Sequence, residues 1–287
     1  AAIQLNNEIP TAGPNGAIAN GTVVNVYGGT ITALNDNGEP SNVVANATET
    51  GVVNISDETV ITGKVLNYVA NIGGAYFGSL QAAVNAIEKQ GYNSPIVIMK
   101  DFATSEATTI KSGLKVTINL NGKTISAAVA KGDGAVIEIA EGAKVVISDG
   151  TVKSEKANGD AAINNAGELV LQNVTIEGAP LADGGYSAYA VISSGNLVIE
   201  EGTAVSADRG CLKFSGDGET VINGGHFTNN DIGTKTLTSH VVDVEDGGTH
   251  KLTINGGTFE HLHSATSGGV VICKIVRHRH DFFFNLC

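Results

Sequence analysis

The phrase Ile254-Asn255-Gly256-Gly257-Thr258-Phe259 returns along most of this chain with altered spelling. Val26-Tyr27-Gly28-Gly29-Thr30-Ile31, Ile147-Ser148-Asp149-Gly150-Thr151-Val152, Ile199-Glu200-Glu201-Gly202-Thr203 and Ile222-Asn223-Gly224-Gly225-His226-Phe227 all run strand, tight glycine corner, strand. A chain that repeats one such unit buries its apolar face against the next copy, so the repeat decides the architecture before any other feature. In each phrase the outer apolar residues, here Ile254 and Phe259, supply core to successive strands. The glycines permit the bend, and Asn255 and Thr258 face out or satisfy the turn.

Composition agrees with strands joined by tight corners. Glycine accounts for 37 of 287 residues, well above the usual ~7%, while Trp is absent and Pro occurs five times. A net charge of −12 would repel phosphate backbones and anionic membrane surfaces, which argues against nucleic acid as a partner. No run of 18 apolar residues is present, so membrane insertion is not expected. Under an extracellular or cell-surface reading, the opening Ala1-Ala2-Ile3 implies that a signal peptide has already been removed. Three scattered cysteines, Cys211, Cys273 and Cys287, are too few for a disulfide framework.

The coils can be counted. The apolar residues before each corner, Leu120, Ile147, Leu171, Ile199, Ile222 and Ile254, lie 27, 24, 28, 23 and 32 residues apart, lengths that suit one coil of three short strands. The longest interval contains the polar insert Thr228 to Thr238, in a loop where a solenoid tolerates variation. Each coil carries an earlier strand, and alternation stacks Ile137, Ile163, Ile192, Leu212, Val242 and Ile272 inward. The same alternation sends two columns outward. One is Val136, Ala162, Val191, Cys211, Val241 and Val271; the other is Glu138, Asn164, Ser193, Lys213, Asp243 and Cys273. Lys213 and Asp243 should then be neighbours, about 4.8 Å apart. Cys211 and Cys273, two coils apart in different columns, should lie beyond disulfide reach.

Four segments follow. Residues 1–65 form an N-terminal arm and two coils, with strands at Val23–Val26, Thr30–Thr32, Val52–Ile55 and Thr59–Ile61. Residues 66–94 form a linker that interrupts the pattern from Asn67 to Gly74, then a capping helix. That helix runs from an N-cap at Ser79 to Gln90, with Leu80, Ala83, Val84 and Ile87 on one face and Gly91 as its stop. Residues 95–275 form the main solenoid. Residues 276–287, with Arg277, Arg279 and Phe282-Phe283-Phe284, form an atypical tail that caps the end, docks on another copy, or is foreign to the natural protein.

Tyr76-Phe77-Gly78-Ser79-Leu80-Gln81-Ala82-Ala83-Val84, then Ile96-Val97-Ile98-Met99-Lys100-Asp101, then Val116-Thr117-Ile118-Asn119-Leu120-Asn121-Gly122-Lys123-Thr124-Ile125-Ser126, resembles the opening of the right-handed parallel β-helix modules of adhesin-like bacterial and archaeal cell-surface proteins. The resemblance spans about residues 75–262. It implies an all-β fold, a right-handed single-stranded parallel β-helix with one short capping α-helix. The architecture is shared with pectate-lyase-like enzymes, phage tailspikes and adhesive stalks, so it does not by itself specify activity.

A lyase of that shape needs calcium-binding carboxylates and a basic residue on adjacent coils, and a hydrolase needs paired carboxylates. In the outer columns Glu138 stands three coils from Lys213 and four from Asp243, too far to cooperate. The remaining catalytic candidates are Asp208 and Arg209, in the turn before Cys211, joined by Lys213, Asp243 and Asp183. His261 with His263, and His278 with His280, each place two imidazoles on one strand face in a geometry that can chelate zinc or copper. Surface histidines are the plainer reading. Asp149, Asp217 and Asp246 lie in corners that would suit calcium, but the calcium-binding nonapeptide repeat is missing, so no cofactor is expected. Tyr186 and Tyr189 are the one close aromatic pair that could meet a sugar.

These features favour a non-enzymatic extracellular structural or adhesive solenoid, assembling head to tail into a filament or surface appendage. Its partners would then be copies of itself, cell-surface components or a glycan. A polysaccharide lyase or glycoside hydrolase working along the groove is the second expectation, and a glycan-binding module without turnover the third.

Overall fold

The computed structural model describes residues 3–5, 23–26, 29–34, 37, 42–46, 52–55, 59–62, 64–66, 68–129, 134–157, 161–181, 189–230, 240–244, 249–262 and 270–274. Only backbone pairing is described for residues 3–5, 23–25, 42–46, 52–55, 59–62, 64–66 and 270–274. The chain divides into two compact units, Ala1–Lys100 and Asp101–Cys287. Both are built from parallel strands stacked as a β-solenoid.

In the first unit three sets of strands stack in parallel. Ile3–Leu5 pairs with Asn42–Asn46, which pairs with Lys64–Leu66; Val23–Val26 pairs with Val52–Ile55, and Gly29–Thr32 with Thr59–Thr62. The stretch that interrupts the sequence pattern is a β-hairpin, Ala70–Ile72 and Ala75–Phe77, turning on Gly73-Gly74. One hairpin strand runs antiparallel to Val52–Ile55 and the other antiparallel to Ile96–Ile98. The helix Leu80–Gln90 lies against the hairpin strands and buries Leu80, Ala83, Val84 and Ala86. Ser79 Oγ accepts from the Ala82 N–H at 3.1 Å, and Gly91, at φ +71°, returns its N–H to the Ile87 carbonyl. Helix and boundaries match the sequence reading, except that Ala86 replaces Ile87 as a fully buried residue.

The second unit has three columns of strands. Sheet I is seven-stranded: Thr108–Ile110, Ile137–Ile139, Ile163–Asn165, Tyr189–Ser193, Gly210–Phe214, His240–Val244 and Val270–Lys274. Sheet II runs from Lys115–Asn119 through the first halves of Lys144–Ser154 and Glu168–Glu177 to Asn196–Ile199, Glu219–Ile222 and Lys251–Ile254. Sheet III runs from Phe102–Thr104 through Thr124–Ala127 and the second halves of the same two long strands to Ala204–Ala207, His226–Asn229 and Thr258–His261. The core lies between the three. Ile118, Ile147, Leu171, Ile199 and Ile222 are 0% exposed, and each contributes on the order of 1.5–3 kcal/mol by burial.

Register corrects three details of the sequence reading. Ile147 stacks on Ile118, not Leu120, because the first corner is longer by one two-residue step and alternation alone cannot tell 118 from 120. In sheet I, Val191 stacks between Ile163 and Leu212, while Ile192 aligns with Asn164 and Lys213 on the outer face. The column read as outward from Val136, Ala162, Cys211 and Val241 is buried instead. At this corner the chain bends out of simple alternation, and the Cys211 thiol turns to donate to the Val205 carbonyl of sheet III at 3.4 Å. Cys211 is a free thiol, which fits the expectation that it forms no bond to Cys273, and burial pushes its pKa up to about 12.

The register fixes an asymmetric pair of substitutions. Val191→Asp should place an uncompensated charge in the core and cost more than about 3 kcal/mol. Ile192→Asp, between Asn164 and Lys213 on the outer face, should change stability by less than about 1 kcal/mol. Urea unfolding of both variants checks the assignment, and the reverse order would contradict it.

Candidate functional site

The strongest convergence of chemical groups lies on sheet I, where three consecutive strands bring Tyr189, Gly210 and His240 into line. Tyr189 sits next to Gly210, and a Cβ on that glycine would lie 2.6 Å from Tyr189 Cε1. Only a residue with no side chain leaves room for the ring to cross the neighbouring strand. The phenol then reaches the second strand over, where its hydroxyl donates to Asp243 Oδ2 at 2.8 Å. The same hydroxyl accepts from Arg209 Nε at 3.2 Å. Arg209 Cζ and Lys213 Nζ stand 5.6 Å and 5.4 Å from the ring centroid, within cation–π range.

The corner beneath is pinned from inside. Asn229, fully buried, donates through Nδ2 to the carbonyls of Arg209 at 2.7 Å and His240 at 3.1 Å. Asp208 faces another way, its Oδ2 accepting from the Leu181 N–H at 2.9 Å. Tyr189 is 4% exposed and Asp243 is 7% exposed. Burial above all, then the charge of Asp243 and the hydrogen bond to it, raise the Tyr189 pKa far above the ordinary phenol value; Arg209 opposes this. The hydroxyl is therefore held protonated as a donor. Asp243 Oδ1 is buried and has no hydrogen-bond partner among the described residues.

Of the residues singled out from sequence, Arg209, Lys213, Asp243 and Tyr189 come together, while the Asp208 carboxylate turns to Leu181 instead. Register places Lys213 beside Asp243. Tyr189 does not offer an open ring to a sugar, since the ring is buried under two cations. Tyr186, Asp183, Asp246, His263, His278 and His280 lie outside the described residues. His261, half-buried, pairs in register with Asn229. No group of three or more His, Cys, Asp and Glu side chains suited to a metal occurs among the described residues. Asp149 and Asp217 are used as fasteners between coils: Asp149 Oδ1 accepts from Asn173 Nδ2 at 3.0 Å, and Asp217 Oδ1 accepts from the Thr249 N–H and hydroxyl at 2.9 and 3.1 Å. Those hydrogen bonds hold both carboxyls below the usual range.

The outer columns repeat this habit. Lys144 meets Glu168 at 2.9 Å, Lys251 meets Glu219 at 2.6 Å, and Lys153 meets Glu177 at 3.5 Å, each pair one coil apart. Asn164 donates to Glu138 at 2.8 Å, and Asn255 donates to Asn223, which donates to Glu200. Single exposed pairs contribute about 0–1 kcal/mol, but here they continue along the axis as ladders.

Among the buried polar residues that escaped the sequence reading is His250. His250 stacks on Phe214 with centroids 4.8 Å apart and an interplanar angle of 7°. Its Nδ1 lies 3.2 Å from the Ser215 carbonyl and its Nε2 2.9 Å from Thr220 Oγ1. Counting back by twos from Ile254 through Leu252 reaches His250, so the signal was the inward alternation. Comparisons with protein-family models, with characterised proteins and with solved structures find no match to this chain.

The Tyr189 hydroxyl bonds to an otherwise buried carboxylate. Tyr189→Phe should cost about 1.5–3 kcal/mol at neutral pH, because the buried Asp243 carboxyl loses its donor. The cost should shrink in an Asp243→Asn background, a coupling that a double-mutant cycle in urea would read directly.

Proposed function

We propose that this protein is a non-enzymatic structural or adhesive solenoid of a cell surface or appendage. The observation that carries this reading is where its polar groups are spent. Outward acids, lysines and asparagines pair with their counterparts one coil away, and the densest cluster, around Tyr189, is buried and joins three strands of one sheet. Chemistry spent in this way serves cohesion between coils. The repeat phrases that resemble adhesin-like β-helix modules support the same reading. Solenoid ends carry strand edges and core, so copies can add head to tail, and contacts of that kind give filaments when rotation does not close. Residues 1–65 and the tail 276–287 are the segments proposed to cross between subunits.

Electron microscopy and sedimentation across a concentration series test this assembly. Filaments or concentration-dependent oligomers are expected, and they should be lost when residues 1–65 are deleted. A protein that stays monomeric at high concentration, with stability unchanged by that deletion, would remove the assembly reading.

One observation favours a second reading, a polysaccharide lyase or glycoside hydrolase: Arg209 and Lys213, both half-exposed, flank a tyrosine and a carboxylate. Incubation with acidic and neutral glycans, with and without calcium, should yield no new reducing ends or unsaturated products. Product formation lost in Arg209→Ala or Lys213→Ala would replace the structural reading with the enzymatic one. Glycan retention without products would instead identify a binding module.

A further inference from the structure

Of the residues from Thr249 to Leu262, His250 is the one that is buried, at 9% exposure; Leu252, Ile254 and Phe259 are half-buried. Their counterparts one coil earlier, Thr220, Ile222 and Phe227, are 0% exposed. This coil is therefore attached by its ladder hydrogen bonds, the Phe227–Phe259 stack, the Asp217–Thr249, Glu219–Lys251, Asn223–Asn255 and His226–Glu260 contacts, and the His250 side chain.

The bonding of His250 needs the neutral ring. A carbonyl can only accept, so Nδ1 carries the proton donated to Ser215, and Nε2 must accept from the Thr220 hydroxyl. A second proton on Nε2 would point at that hydroxyl's own hydrogen. The hydroxyl would have to turn away inside a site where Thr220 is 0% exposed. A cation would also sit flat against Phe214 in the core with no carboxylate bonded to it. The charged groups on the elements packed around it are engaged on the outer side. Asp217 holds Thr249, Glu219 holds Lys251, Glu260 meets His226 at 3.4 Å, Asp243 holds Tyr189, Lys213 stands over the Tyr189 ring, and His261 lies beside Asn229. His240, on the strand carrying Asp243, lies beneath Asn229 through its carbonyl.

We infer that His250 is an acid-released latch: its protonation frees the coil Thr249–Leu262 while the strands nearer the N-terminus stay paired. Release uncovers the edges of Glu219–Ile222 and His226–Asn229, two strands open to pairing with another chain. The direction of the linkage follows from burial, which lowers the folded pKa of His250, the Ser215 hydrogen bond opposing it. The opened coil has the ordinary value of about 6.5. Opening thus takes up a proton, so the latch is at full strength above that pH. It weakens as pH falls from there to the folded pKa, by about tenfold per pH unit.

Hydrogen exchange of the full chain at pH 7.5 and 5.0, corrected for intrinsic rates and read by mass spectrometry, tests the latch. Protection of amides in 251–261 should fall by more than about twofold between the two pH values, while those of Leu169–Leu171 and Asn196–Ile199 stay within about twofold. Equal loss across all these strands, or no loss in 251–261, would overturn it. His250→Phe with Thr220→Val keeps the stack without a titrating ring and should abolish the pH dependence. If that variant does not fold, NMR titration of the unsubstituted protein decides, since an assigned His250 ring that titrates at or above 6.5 rejects the latch.

Discussion

In-register parallel pairing between coils is the constraint on which everything else here depends. Once Val146 lies on Thr117 and Val170 lies on Val146, each side chain must accept the corresponding one of the next coil as its neighbour, about 4.8 Å away. Apolar residues meet that demand by stacking, as Ile147, Leu171 and Ile199 do. Aromatic rings meet it face to face, as the Phe227–Phe259 pair does at 4.6 Å. Stacked like charges repel, and several acids meet a lysine or asparagine on the next coil, as Glu168 meets Lys144, Glu219 meets Lys251 and Glu138 meets Asn164, although Lys115 lies on Lys144. The surface ladders are the electrostatic form of the rule that builds the core.

Corners obey the same rule with a backbone currency. At the turn between sheets II and III, Asn121, Asp149 and Asn173 adopt φ of +51°, +62° and +48°, and Gly202, Gly225 and Gly257 serve the later coils. Asn and Asp tolerate the left-handed region because their short side chains bond locally. Here they also bond to the coil beside them, as Asn173 does to Asp149. At the organising phrase itself, Gly257 at φ +116° makes the bend, and a Cβ on Gly256 would stand 2.9 Å from the Asn223 carbonyl. The two glycines of one motif thus answer two different demands, conformation and closeness.

This division explains what the sequence made legible. Strand order, the helix with its caps, and the stacking of Phe227 on Phe259 were readable because each depends on local pattern or on one repeat spacing. The choice of Val191 over Ile192 was not, for both are β-branched and apolar, and only the partner strands decide which faces in. Cys211 was misplaced because a corner suspends alternation. The grouping of Arg209, Lys213 and Asp243 could be glimpsed from register, but the part played by Tyr189 could not. Its contact with Asp243 crosses 54 residues and depends on a glycine in the strand between them.

Tyr189 and His250 depart from the repeat in the same way. A solenoid coil touches its immediate neighbours, so cohesion is a chain of nearest-neighbour links. Tyr189 breaks that limit by crossing Gly210 to reach the second strand over, which couples three strands into one cooperative block. His250 sits in a coil whose apolar residues are half-exposed, where stacking contributes least and a polar side chain with two bonded nitrogens adds most. A tyrosine held protonated by burial keeps its bond at any physiological pH. An imidazole whose proton affinity is lowered by burial does not. Three strands of sheet I are thereby joined by a group that does not titrate, and the coil Thr249–Leu262 is held by one that does.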